Sequence, residues 1–133
     1  TLLMLNNSWH LGEYQKGSEK DKNRIGVSVV FLGADVVVVF GGGDSHIGSL
    51  AHSKKSIGKQ DYQFTFPEHM DNYVVDLFVE GLKDQVKGEI LVVGGIHYNE
   101  ITKEQISEIM RYCSDIVEDI RSDLSSGKLS SSK

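Results

Sequence analysis

The sequence predicts an α+β domain, with a largely antiparallel β-sheet packed against two α-helices. Three observations carry that expectation. β-branched and aromatic runs crowd the first half of the chain, as in Ile25–Leu32 (IGVSVVFL) and Val36–Phe40 (VVVVF). Only Gly33-Ala34-Asp35 separates those two runs, too short for a crossover, so they form an antiparallel hairpin. The second half then reads helix, strand, helix, which is not the regular alternation of a doubly wound nucleotide-binding fold.

Taken in order, Leu2–Leu11 reads as a first strand, and the charged, glycine-punctuated Gly12–Arg24 as a mobile or hairpin connection. Ile25–Leu32 and Val36–Phe40 are the second and third strands. The valine run of the third suits a strand buried on both faces or lying at a sheet centre. Gly41, Gly42 and Gly43 follow it, and Ile47–Ala51 is expected to run back along it as a fourth strand. His52–Gln60 reads as a loop, and the alternation of Tyr62, Phe64 and Phe66 as a short edge segment.

Pro67 marks a boundary close to a helix start. Between Glu68 and Val86, the residues Met70, Tyr73, Val74, Leu77, Phe78, Leu82 and Val86 mark one amphipathic face. Gly81 on that stripe lets the helix approach a sheet, and Gly88 is a natural stop. Glu89–Val93 (EILVV) is a further buried strand, ending at Gly94-Gly95-Ile96-His97. Thr102 and Gln105 form a capping box, with Ile101 and Ile106 placed for a hydrophobic staple. Apolar periodicity from Ile106 then carries a second helix to about Leu124. Residues 1–124 thus form one domain, and the polar tail SSGKLSSSK at 125–133 is expected to be disordered.

Composition excludes several classes. A chain of 133 residues with 39% hydrophobic and 25% charged residues buries a core without staples. A net charge of −5 supplies no field for collecting nucleic-acid phosphates. The single cysteine, Cys113, excludes an intrachain disulfide and a cysteine-rich zinc site, and its helical stripe makes it a small core residue. No stretch reaches the roughly 18 apolar residues that a membrane span needs. A soluble, cytoplasmic protein without nucleic-acid or membrane partners is expected.

The chemistry concentrates at two glycine turns, GGGDSHIG (41–48) and GGIHYN (94–99). The first fails the dinucleotide G-x-G-x-x-G pattern, with His46 at its last position and no helix following directly. It also fails the P-loop, because Ser49 stands where the lysine must be. His46 and His97 each follow a buried strand and a glycine pair, so neighbouring strands would bring both imidazoles to one rim. They would serve there as ligand contacts or as turn caps. A two-histidine metal site assisted by Asp44 or Asn99 matches no zinc signature. Ser45 beside His46 lacks a third orienting group, against a hydrolase triad. His10, His52 and His69 read as exposed loop or strand histidines, and Asp71 and Asp76 as surface charges on the first helix.

The run GGGDSHIGSLA, followed by a proline loop, a helix and ILVVGGIHYNEITKEQISEI, resembles the prenylated-flavin chaperone family found among the accessory proteins of gallate decarboxylase. The resemblance covers roughly Ile25 to Ile120. The family is in turn similar in fold to proteasome-assembly chaperones. The resemblance implies a homodimer and a non-catalytic accessory role. The ligand would be prenylated FMN or FMN, and the partner the catalytic subunit of an aromatic-acid decarboxylase. Gly42, Gly43, His46 and Gly48 match the family's first turn, and Gly95, Ile96 and His97 its second. A flavin phosphate would want a cation (Arg24, Lys54 or Lys55) and an aromatic platform (Tyr98 or Trp9). Two other functions compete with this one. The chain could be a protein-binding module that assembles a partner with no small-molecule ligand, or a small enzyme acting on a phosphorylated or aromatic compound.

Overall fold

The computed structural model describes residues 11–54, 59–65 and 69–130, with backbone alone for Lys54, 59–65 and His69. Six strands and two helices follow in the order β1 (Leu11–Lys16), β2 (Ile25–Leu32), β3 (Asp35–Gly43), β4 (Ser49–Lys54), β5 (Lys59–Thr65), α1 (His69–Leu82), β6 (Ile90–His97) and α2 (Lys103–Ser126). The strands form one sheet in the order β1-β2-β3-β6-β4-β5. Every neighbouring pair is antiparallel except β3 and β6, which run parallel at the sheet centre. The expected architecture of a largely antiparallel sheet and two helices is the one observed.

Four elements differ from the sequence reading. The expected first strand, Leu2–Leu11, lies outside the described residues except for its last position. The edge strand is Leu11–Lys16, inside the stretch read as a connection. Its alternation of exposed and half-buried residues carries no strongly apolar face, which hid it. β4 runs Ser49–Lys54 and β5 starts at Lys59, so the stretch His52–Gln60 read as a loop is strand at both ends, and β4 pairs with β6 and β5 rather than with β3, because β6 inserts between β3 and β4. The first helix ends at Leu82, so Gly88 is no helix stop: its N–H donates to the Ala34 carbonyl at 3.0 Å.

The fourth difference is at the carboxyl end. α2 runs to Ser126 and closes on Gly127, whose φ of 83° is the left-handed cap conformation. Leu129, expected in a disordered tail, is buried, and Gly12 leaves the room it occupies. Residues 131–133 lie outside the described residues. At the other end of α2 the capping box is present: Thr102 Oγ1 accepts from Gln105 N–H, and Gln105 Oε1 accepts from Thr102 N–H.

Period-two alternation makes one face of the sheet the core. Ile25, Val27, Val29 and Phe31 of β2 meet Val36, Val38 and Phe40 of β3 and Ile90, Val92 and Ile96 of β6 on that face. Both helices cover it, through Val74, Val75, Phe78, Val79 and Leu82 of α1 and Ile109, Cys113, Ile116, Val117 and Ile120 of α2. Full burial of each such side chain contributes about 1.5–3 kcal/mol. Gly81 faces Val117 of α2 rather than the sheet. Among the described residues, no helix covers the opposite sheet face. There Val30, Val37, Leu50, Leu91 and Val93 are half-buried, and Leu32 and Val39 are 46% and 44% exposed.

Candidate functional site

Parallel strands leave the sheet at the same end, and this brings the two glycine turns together. Gly41, Gly42 and Gly43 of β3 are register partners of Gly95, Ile96 and His97 of β6. To reach β4, the chain must then pass over β6. Residues 44–48 make that passage across a surface stripped of side chains. A Cβ on Gly95 would lie 2.5 Å from the His46 carbonyl oxygen, and one on Gly41 would lie 2.6 Å from Ser45 Oγ. Gly43 turns the chain with φ of 62°, and its left-handed backbone is the reason for glycine there. The crossing is pinned at both ends: Asp44 N–H donates to the His97 carbonyl and Gly48 N–H to the Gly94 carbonyl, each at 2.9 Å.

This passage brings His46 to His97. The rings meet edge to face, with centroids 6.3 Å apart and planes at 76°. His46 Nδ1 lies 3.1 Å from the Asp44 carbonyl oxygen, and His97 Nε2 lies 3.1 Å from Asn99 Oδ1. Both imidazoles therefore contact their own turns and face solvent together, with the His46 side chain 39% exposed. All seven residues matched to the resembling family's turns (Gly42, Gly43, His46, Gly48, Gly95, Ile96 and His97) lie in this one cluster.

Tyr98 and Arg24 join the rim from the side. The Tyr98 hydroxyl donates to the Arg24 carbonyl at 2.8 Å, and its ring would touch a Cβ on Gly43. Burial and the nearby Glu19 carboxylate hold the Tyr98 phenol above its ordinary range. The Arg24 guanidinium is paired with Glu19 at 3.7 Å. Of the other candidate cations and aromatics, Lys54 ends β4 about 16 Å of strand away from the rim. Lys55 and Trp9 lie outside the described residues. His52 sits mid-sheet with Nε2 2.6 Å from Glu89 Oε1, whereas His10 and the His69 side chain are outside the described residues. Among the described residues, no three His, Cys, Asp or Glu side chains are grouped to hold a metal ion.

One residue of the site departs from the sequence reading. Asp71 is not a surface charge: it is fully buried at the start of α1, while Tyr73, assigned to the apolar stripe, is 64% exposed. Asp71 Oδ1 accepts the Ile96 N–H at 2.9 Å, and Oδ2 lies 3.8 Å from His46 Nε2. A buried carboxylate needs such partners to offset its lost hydration. The signal is present in the spacing. Asp71, Val74, Val75, Phe78, Val79 and Leu82 stand at i, i+3, i+4, i+7, i+8 and i+11, one helix face with an acid at its first position.

An open sheet with both helices on one face and polar turns at one end defines a fold shared with an assembly chaperone. A chain of the crystal structure of a novel chaperone complex for yeast 20S proteasome assembly superposes with a TM-score of 0.54, covering 88% of this chain and 98% of that one. At 8% identity the likeness is one of fold alone. Residues 19–125 match the prenylated flavin chaperone LpdD-like domain, and the chain belongs to that family. Protein LpdD of Lactiplantibacillus plantarum is 30% identical over 80 residues, which are 57% of this chain and 59% of that protein. The chain thus spans about three-fifths of the length of this curated relative. Membership in a chaperone family agrees with an accessory rather than an enzymatic role. No helix among the described residues is long and apolar enough to cross a membrane.

Proposed function

We propose that this chaperone binds prenylated FMN, or FMN, at the rim of the two glycine turns and delivers it to the catalytic subunit of an aromatic-acid decarboxylase. The observation that carries this reading is the meeting of His46 and His97 over a glycine-built surface. The glycines let residues 44–48 lie directly on the end of β6, which seats the two imidazoles side by side at a solvent-facing rim where a flat molecule can stack or hydrogen-bond. The family supports the ligand class.

The donor set fits a flavin in a particular sense. His97, through the ring nitrogen turned away from Asn99, and the turn backbone can hydrogen-bond the polar edge of an isoalloxazine, while the exposed His46 ring packs against it. The Asp71 carboxylate beneath His46 disfavours a phosphate there, so the phosphate belongs on the Arg24 and Tyr98 side. The flavin supplies the decarboxylation chemistry once it sits in the enzyme, while this chain's residues hold it and release it. An equilibrium titration of the purified chain with FMN and with prenylated FMN tests the reading. Uptake weakened in His46→Ala and in His97→Ala, and lost in the double variant, is expected, and no uptake of either flavin by the unaltered chain overturns it.

The sheet face that none of the described helices covers favours a second reading, a protein-binding module whose partner is a second copy of the chain. Leu32 and Val39 stand exposed among half-buried Val30, Val37, Leu91 and Val93, an apolar surface of the kind that pairs. Sedimentation equilibrium should show a dimer that Val39→Lys dissociates. A monomer at micromolar concentration removes this reading and leaves the flavin titration untouched.

A further inference from the structure

We propose that Asp71 is the positioning residue of the rim, coupling the two histidine turns through one buried carboxylate. Its two oxygens reach different segments. Oδ1 accepts the N–H of Ile96, the residue immediately before His97, at 2.9 Å, and Oδ2 lies 3.8 Å from His46 Nε2. His46 is thus bordered at both ring nitrogens, with the Asp44 carbonyl oxygen 3.1 Å from Nδ1 and the Asp71 carboxylate 3.8 Å from Nε2. The carbonyl contact holds one side of the ring and the carboxylate borders the other, which narrows the rotation that the carbonyl contact alone would leave. The ring plane so limited is the one that presents His46 edge to face with His97.

The glycines around the carboxylate serve the same arrangement. A Cβ on Gly48 would overlap Asp71 Oδ2 and come within 3.1 Å of His46 Nε2, and one on Gly95 would lie 3.2 Å from the same carboxylate oxygen. Positions 48 and 95 are thus emptied on the side facing Asp71, which lets a helix side chain reach through to the turn on the far side of β6. Asp71 is fully buried, out of direct reach of a molecule at the rim. It acts on a ligand through His46.

The test uses the full chain with histidine ring labels and two substitutions. Asp71→Asn keeps an oxygen for Ile96 N–H but removes the negative charge facing His46, whereas Asp71→Ala removes both. In the unaltered protein the His46 and His97 ring protons should show a cross-relaxation peak. That peak should be lost in both variants, while protection of the Ile96 amide from exchange should be lost only in Asp71→Ala. If Asp71→Ala fails to fold, the near-isosteric Asn variant carries the test. An undiminished ring–ring peak in folded Asp71→Asn overturns the proposal.

A second arm rests on the flavin reading. Asp71→Asn should weaken FMN binding about tenfold, as coupled neighbours do, and by less than twofold when His46 is already alanine. Equal losses in the two backgrounds would mean that Asp71 does not work through His46. Should the unaltered chain not bind FMN, the flavin reading fails, and the ring–ring peak alone still decides the role of Asp71.

Discussion

Gly41 and Gly95 are register partners across the parallel β3–β6 pair, and the chain crosses the sheet over both. The two positions differ in what lies above them. At Gly95 it is the His46 backbone carbonyl, whereas at Gly41 it is the Ser45 hydroxyl, which can swing aside. Gly95→Ala should therefore destabilise the fold by about 1–3 kcal/mol, the range for overpacking, and Gly41→Ala by less than about 1 kcal/mol. Urea unfolding of the two variants checks the order. Equal costs would mean that the crossing is not seated on Gly95.

Gly81 governs the helix–helix contact in the same way. A Cβ there would lie 2.5 Å from Val117 Cγ1, a stiff β-branched neighbour. Alanine at an ordinary helix interior position would gain about 1 kcal/mol over glycine. Here Gly81→Ala should instead lower the thermal midpoint, and adding Val117→Ala should recover part of the loss. A thermal melt of the single and double variants reads this non-additivity.

Tyr14 makes the edge strand sensitive to alkali. Its hydroxyl donates to Asp123 Oδ2 at 2.8 Å, and burial, then that bond and the charges of Asp123 and Asp119, push the phenol well above its ordinary value. A group whose pKa is raised by folding stabilises the native state below the unfolded value and loses that contribution as pH rises through the folded one. Stability should thus be level up to about pH 10 and decline above it. Tyr14→Phe should show a shallower decline in denaturant titrations between about pH 9 and 11.

Cys113 is fully buried in α2, and burial alone pushes its thiol up to about 12. The thiolate is the reactive form, so the native protein should react with a disulfide reagent only as fast as it opens. Reaction at about pH 8 is expected to be roughly a hundredfold slower, or more, in buffer than in denaturant. Rapid labelling of the native chain would contradict the core position of this helix face.

Much of this molecule can be read from its chain. β2, β3, β6 and the capped start of α2 follow from strong local signals: β-branched runs, and a capping box closed between Thr102 and Gln105. The meeting of His46 and His97 also follows, once their strands are neighbours. What could not be read is tertiary. The pairing of β4 with β6 depends on a crossover that no local pattern encodes. Leu11–Lys16 becomes a strand because β2 offers it an edge. Asp71 reads as a solvated helix charge as long as Tyr73 is placed on the inward stripe. The inward face lies one residue, or about 100°, further round the helix than the stripe that includes Tyr73, and this turns Tyr73 out and brings Asp71 in beside the Ile96 amide and His46.

Because β3 and β6 run parallel, the rim is built from the pairing that must wait for the longest segment of chain. All of β4, β5 and α1 lies between the two partners, so closing this pair carries the entropy of a long loop and belongs among the slow events of folding. On the proposed function, a molecule bound across His46 and His97 would recognise only chains that have completed this step, and would add stability in proportion to the logarithm of its free concentration. The ligand would then act as an inspector of its own carrier: chains emptied of cargo would open and be degraded sooner, and loaded ones would persist.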